Sequence, residues 1–248
     1  MEPASKPSTT ALNRAFYHDL WSRARLDSPE RFNTWPVISE FGQSAAARLE
    51  VGPGMHPRLP IAGTHFLDLS AFATEQLNRR GGIAVTGDIT QLPFRDGEFD
   101  LIAAFDVIEH VDDDHQVFRE LNRVLRDGGT LIFSVPVHAA LWTEFDDLVG
   151  HVRRYEPAAL VALLAEHGLM IERSAGFGMK PSNGRLVKWG MWWLAHHPDR
   201  AMWWHNRVFA PLGLFFQKRL AFTGGLIEAA EVQGLVLICR RGGARLAG

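Results

Sequence analysis

Cysteine is almost missing from this chain: 248 residues contain one, Cys239, inside an apolar run. A single thiol excludes an internal disulfide, and a reduced, cytoplasmic setting fits. No apolar run approaches the roughly 18 residues that a membrane-spanning helix needs. The opening residues, Met1-Glu2-Pro3-Ala4-Ser5-Lys6-Pro7, lack the charged-then-apolar order of a secretory leader. An excess of either charge is also missing. The formal net charge is -2 and the sequence pI about 6.6, so a polyanion feels no long-range pull and a nucleic-acid partner is disfavoured. With 46% hydrophobic residues, what is left is a soluble globular chain long enough for one large domain.

The chain is organised around Arg48-Leu49-Glu50-Val51-Gly52-Pro53-Gly54-Met55. An apolar lead-in meets an acid and then two glycines one residue apart. Without a Cβ the backbone can turn sharply and a ligand can rest against it. A strand ending in such a bend lies where open α/β sheets bind ligands, at the strands' carboxyl ends. Three more strands end on acids: 64–68 on Asp68, 83–88 on Asp88 and 99–106 on Asp106. Asp68 follows Glu50 by roughly 20 residues, the distance at which an acid can accept hydrogen bonds from both ribose hydroxyls. A fifth strand, 130–136, is entered through Asp127-Gly128-Gly129. Strands and helices in alternation predict a parallel sheet with helices on both faces.

These segments resemble the class I S-adenosylmethionine-dependent methyltransferases of small-molecule type. The resemblance is carried by Glu50-Val51-Gly52-Pro53-Gly54, Asp68-Leu69-Ser70, Gly87-Asp88-Ile89, Leu92-Pro93-Phe94, Phe99-Asp100-Leu101-Ile102, Phe105-Asp106-Val107-Ile108-Glu109-His110-Val111 and Leu125-Arg126-Asp127-Gly128-Gly129. It covers residues 45–175, with a last strand near 234–240. It implies S-adenosyl-L-methionine as cofactor and an α/β fold: a seven-stranded, mostly parallel, Rossmann-like sheet flanked by helices. Gly52 and Gly54 would face the methionine half, Asp68 would hold the ribose, Asp88 and Ile89 would border the adenine, and Phe105 and Asp106 would lie beside the sulfonium. Glu50, Pro53 and Leu69 belong to the same matched segments and count with the cofactor-binding residues. Tyr17, on an N-terminal helix over residues 12–25, is the candidate to touch the cofactor's carboxylate; packing at the domain edge is the other reading.

The match departs from the family at His56, where a third glycine is usual. Pro57 and Pro60 follow, and proline is tolerated only in a helix's first turn. The first crossover helix must therefore be cut down or replaced by a loop. His56 is either an extra donor near the methionine carboxylate or a plain loop histidine. The Asn/Asp-Pro-Pro-Tyr signature of amide- and base-N-methylating relatives is also missing; Phe105-Asp106-Val107-Ile108 stands in its place.

The rest of the chain divides into an N-terminal helical cap (1–45, its first ten residues frayed), a core (46–177 and 233–243) and an insertion (178–232). Residues 29–36 read as a rigid loop between prolines or as a loop packing Trp35 inward. Ser70 caps a helix. Asp112-Asp113-Asp114 reads as a helix cap rather than a metal site, and Val117, Phe118, Leu121, Val124 and Leu125 should face the sheet. Gly150-His151-Val152-Arg153-Arg154-Tyr155, which recurs in similar bacterial methyltransferases, is either part of the site or structural, an arginine bonding loop carbonyls. The insertion is dense in tryptophan: Trp189, Trp192, Trp193, Trp203 and Trp204. It enlarges the core, lines an apolar substrate pocket, or meets a membrane surface or a second subunit in a homodimer. Lys188, Arg200, Arg207, Lys218 and Arg219 flank it. The adjacent His196 and His197 diverge on a helix, and no metal is expected.

Methyl transfer from a sulfonium expels a neutral thioether, so the leaving group needs no acid and holding nucleophile and methyl in line supplies most of the gain. A hydroxyl or carbon nucleophile also needs a base. His110, after the fourth strand, is the first candidate, followed by His138 and His151. The expected enzyme methylates a small or lipid-like acceptor. A methyltransferase of protein or RNA, and a cofactor-binding or interaction module without chemistry, are the alternatives.

Overall fold

The computed structural model describes residues 9–178, 189–190, 192–193, 196–229 and 232–242. The first eight residues and Lys188 lie outside them. The strands are β1 (Arg48–Val51), β2 (His65–Asp68), β3 (Ile83–Thr86), β4 (Phe99–Phe105), β5 (Leu125–Pro136), β6 (Leu169–Phe177), β7 (Thr223–Gly224) and β8 (Gly234–Arg241). They form one sheet in the order β3-β2-β1-β4-β5-β8-β6-β7. The pairs from β3 to β5 are parallel, and β8 enters antiparallel between β5 and β6.

Helices α1 (Thr9–Arg23), α2 (Trp35–Gly42), α3 (Ala71–Asn78), α4 (Asp114–Val124), α5 (Glu144–Val149) and α6 (Pro157–Glu166) surround this sheet. The insertion contributes α7 (Pro198–Trp204), a π turn (His205–Phe209) and α8 (Ala210–Phe215). Side chains alternate along each strand, so β4 feeds two cores. Ile102 and Ala104 join Leu131 and Phe133 beneath α4 and α6. Leu101, Ala103 and Phe105 join Ile132, Val236 and Ile238 beneath α2. The predicted α4 stripe of Val117, Phe118, Leu121 and Val124 is fully buried. Asp113 caps that helix by accepting from the Gln116 amide at 2.9 Å.

Four details differ from the sequence reading. The sheet has eight strands, not seven: Thr223–Gly224 pairs with Arg173 and Ser174 at the β6 edge. It is pinned by Ser174, whose hydroxyl donates to the Gly225 carbonyl at 2.8 Å and accepts from the Ile227 amide at 2.7 Å. Strand β5 begins at Leu125, because Phe99 and Leu125 pair and a bulge then absorbs the turn before Leu101 meets Thr130. Strand β6 runs on to Phe177 because β8 pairs with it throughout. Helix α2 occupies ground read as loop, with Pro36 accommodated in its first turn.

Between β1 and β2 there is no helix, as the prolines require. Glu50 does what that helix would have done for the local backbone. Its carboxylate accepts from the Arg58 amide at 2.8 and 3.0 Å and from the Leu59 amide at 2.8 Å. Leu59 is thereby seated in the α2-side core.

Candidate active site at the strand tips

Gly52 and Gly54 both take left-handed backbone, at φ 65° and 52°. A Cβ on Gly52 would lie 2.5 Å from Val107, and one on Gly54 would overlap the Trp21 indole. The bend thus needs glycine twice, for conformation and for close approach.

Asp68 ends β2 beside this bend. One carboxylate oxygen accepts from the Gly54 amide at 2.8 Å and the other from the Ser70 amide at 2.8 Å. Burial pushes its pKa up to about 6 against the pull of those two amides. Each oxygen keeps a second lone pair. Asp88, beyond the neighbouring strand β3, accepts from the Thr90 amide and hydroxyl at 2.9 and 2.8 Å. Asp106, beyond β4, holds an exposed side chain on strained backbone at φ 53°. Ser134 on β5 braces it, donating to Oδ1 at 2.8 Å and accepting from the Asp106 amide at 2.9 Å. The order β3-β2-β1-β4 places Asp88, Asp68, the glycine bend and Asp106 at successive tips of one sheet edge. Ile89 and Phe105 are buried next to these acids, and Leu69 is half-buried.

Helix α1 lies across these tips. Tyr17 and Trp21 are one turn apart and stack at 5.7 Å. Trp21 meets His56 edge-on at 5.4 Å. The Tyr17 hydroxyl donates to the Val149 carbonyl at 3.1 Å and lies 3.3 Å from His110 Nε2. Burial, then the charges of Glu109, Asp106 and Asp68, pushes that phenol's pKa upward, so it stays neutral. His56 pairs with Asp27 at 2.9 Å.

Of the three candidate bases, His110 and His151 come together, their rings 4.7 Å apart. His110 points Nδ1 at the Gly150 carbonyl, 3.2 Å away. Burial, then His151, drives its pKa down to about 3, so the ring is neutral. His151 Nδ1 is 2.8 Å from Asp146, and its Nε2 is 3.8 Å from Glu109. Asp146 also takes two bonds from Arg154, at 2.8 and 3.1 Å, and two from Thr143. Burial opposes its ionisation, yet Arg154, Thr143 and His151 hold its carboxyl well below the usual range. Donor atoms of Glu109, His110 and His151 lie within 4.8 Å of one another, a spacing a metal ion could use, with the Tyr17 hydroxyl already at His110. His138 belongs to another set of contacts: its Nε2 is 2.7 Å from the Ala229 carbonyl.

The Gly150–Tyr155 segment is stapled to the α4 terminus. Arg153 donates to the Val111 carbonyl at 3.1 Å and pairs with Asp114; Tyr155 donates to Asp114 at 2.9 Å. Residues that the sequence did not assign to the site also gather here: Trp21, Arg58, Glu109, Ser134 and Asp146. Trp21 could have been found, since it lies four residues from Tyr17 and so on the same helical face. Arg58 and Ser134 carry no periodic signal. A hollow of about 390 Å³, lined in part by Glu40, Asp100, Arg126 and Arg240, lies at the opposite, amino-terminal edge of β4 and β5.

An open α/β sheet with one antiparallel strand beside β5 and a glycine bend flanked by strand-tip acids defines a Rossmann-like, adenosyl-cofactor-binding domain. Residues 57–133 match the methyltransferase domain family. A 92-residue stretch is 34% identical to a probable S-adenosylmethionine-dependent methyltransferase of Mycolicibacterium smegmatis, covering 36% of each chain. A 99-residue stretch is 35% identical to a malonyl-[acyl-carrier protein] O-methyltransferase of Legionella pneumophila, covering 35% of this chain and 34% of that one. These matches span about a third of the length of either relative. Among solved structures, a Thermotoga maritima S-adenosylmethionine-dependent methyltransferase, described as a possible histamine N-methyltransferase, superposes with a TM-score of 0.59 at 16% identity. It covers 94% of this chain and 100% of that one, a likeness of fold. Over residues 57–133 the chain carries a methyltransferase domain, and the relatives and the solved structure that it resembles are described as methyltransferases.

Proposed function

We propose that this protein transfers the methyl group of S-adenosylmethionine to a small or lipid-like acceptor. One observation supports the reading most: a buried carboxylate, Asp68, stands at a strand tip against a two-glycine bend whose main chain no Cβ could share. The residues suit the cofactor. Gly52 and Gly54 would expose main chain once Trp21 withdraws, Asp68 retains lone pairs for ribose hydroxyls, and Asp88 with Ile89 would border the adenine. The cofactor, when bound, supplies an electrophilic methyl on a neutral leaving group. The chain's part is to hold and to exclude water.

Trp21 stands against the bend and Tyr17 beside His110, so admission of the cofactor requires α1 to shift. That shift would rehydrate His110 and raise its depressed pKa toward the useful range for a base. Among the three histidines we therefore assign the base, where the acceptor needs one, to His110. His151 is the positioning group fixed by Asp146. The indole on Gly54 also favours a second reading, a family member in which α1 has become a permanent plug.

The slightly acidic balance of the chain, the acceptor named for the Legionella relative and the exposed aromatics of the insertion support this acceptor class. Trp189, Trp192, Trp203, Trp204, Phe209, Leu212, Phe215 and Phe216 are all exposed. That face suits peripheral contact with a membrane surface from the cytoplasm. Among the described residues no helix is long and apolar enough to cross a membrane.

Calorimetric titration with S-adenosylmethionine tests the reading. Asp68→Ala should weaken binding by about tenfold or more. No heat with the wild type would remove the cofactor, and unchanged affinity in the variant would remove Asp68 from the ribose. Incubating cell extract with methyl-labelled cofactor separates the two readings: a permanent plug transfers no label.

A further inference from the structure

Arg58 lies on the loop that replaces the first crossover helix, four residues past Gly54. The residue is 7% exposed. Its guanidinium carbon sits 3.7 Å from the centre of the Phe32 ring and 5.5 Å from that of Phe105. The main-chain amide is spent on Glu50. The side chain is not spent: Nη1 is buried without a hydrogen-bond partner.

The acids near it are engaged with other groups. Glu50 accepts from two backbone amides, Asp27 pairs with Arg31 and His56, and Asp106 Oδ1 accepts from Ser134. Burial lowers the pKa of the guanidinium, outweighing the favourable charges of Asp106, Glu50 and Asp27, which act from a distance and do not use its fork of donors. A buried guanidinium with idle donors is costly unless something planar and anionic completes it. The neighbouring ground is built for function as well: Phe105 ends β4, and Asp106 follows it on strained backbone.

We propose that Arg58 is an anion anchor at the β4 end of the cleft, taking a carboxylate or phosphate of a bound molecule. The anion belongs either to the cofactor's methionine moiety or to an acidic acceptor. The inference rests on the reading that this cleft binds S-adenosylmethionine.

Calorimetry with S-adenosylhomocysteine and with 5'-methylthioadenosine, which lacks the amino-acid carboxylate, separates the sources. If the cofactor supplies the anion, Arg58→Gln lowers affinity for S-adenosylhomocysteine by about tenfold to a hundredfold and leaves 5'-methylthioadenosine unchanged. Arg58→Lys, which keeps charge and stem but not the fork, falls between. If the acceptor supplies it, both nucleosides bind the variants normally. Phosphate or acetate then raises the melting temperature of the wild-type S-adenosylhomocysteine complex and not that of Arg58→Gln. Circular dichroism checks folding, and Arg58→Lys carries the same comparisons should Arg58→Gln unfold. A variant matching the wild type in both arms overturns the anchor alone. A wild type that binds neither nucleoside overturns the cofactor reading and the anchor with it.

Discussion

Glu50 shows how one buried acid can serve a loop and carry a pH signature. Burial raises its pKa to about 7 from an ordinary 4.5, outweighing three backbone hydrogen bonds. A carboxyl whose folded pKa is raised binds its proton more tightly in the native chain. Its favourable share of stability is present below about pH 4.5 and is lost as pH climbs through about 7. Asp68 acts in the same sense, with a folded pKa of about 6. His110 acts in the opposite one, since a histidine held neutral costs stability as pH falls below 6.5 toward 3. Glu50→Gln isolates the first contribution while keeping an acceptor oxygen for the loop. Its melting temperature, relative to wild type, should rise between pH 5 and pH 8 by a few degrees, the scale of about 1–2 kcal/mol. A constant difference across that range would show that Glu50 does not titrate there. At this scale the acids were legible from position alone: Asp68, Asp88 and Asp106 each follow an apolar run. What Glu50 bonds was not legible, because its partners are amides of a loop whose course only the folded chain defines.

Among the elements, α1 has the largest consequence for the cleft. It packs Tyr17 and Trp21 over the glycine bend and His110, and Asn13 ties it to the His110 carbonyl at 3.2 Å. A protein whose competent form is a minor population binds with an affinity reduced by that fraction. Trp21→Ala should therefore tighten S-adenosylhomocysteine binding by about threefold to tenfold and speed association, as read by calorimetry and stopped-flow fluorescence. Weaker binding would make the indole a wall of the site instead of its obstacle. The helix itself was visible in the sequence, and so was the loss of the first crossover helix to Pro57 and Pro60. Helix α2 was not visible. Its eight residues begin inside the proline-flanked aromatic stretch, and its burial of Val37 and Ile38 depends on a core face supplied by β4, β5 and β8. The eighth strand was hidden for a similar reason: two residues hold it only because Ser174 bonds both sides of the turn.

The whole molecule divides its charge unevenly. Residues 189–219 contain Arg200, Arg207, Lys218 and Arg219 against the single acid Asp199, in a chain of net charge -2. Phe215 and Phe216 are 80% and 73% exposed beside them, a pairing of bare aromatics with cations that suits an anionic lipid surface. Replacing both with serine should reduce sedimentation with phosphatidylglycerol vesicles by about tenfold while leaving folding and nucleoside binding intact. Vesicle binding equal to that of the wild type would place the contact elsewhere, and a concentration-dependent dimer lost in the variant would assign the face to a second copy. Periodicity in the sequence identified this stretch as apolar and helical, but which side faces solvent follows from its attachment to the body. That attachment is specific. Asp199 of α7 pairs with Arg23 at 3.0 Å, and Asn206 donates to the Arg23 carbonyl at 2.7 Å, both at the last residue of α1. The outer aromatics and the glycine bend are thus joined through α1 by these two contacts. Were contact at the aromatics to move α1, linkage would make the effect reciprocal: any factor by which a bilayer favours the adenosyl ligand is the factor by which that ligand favours the bilayer.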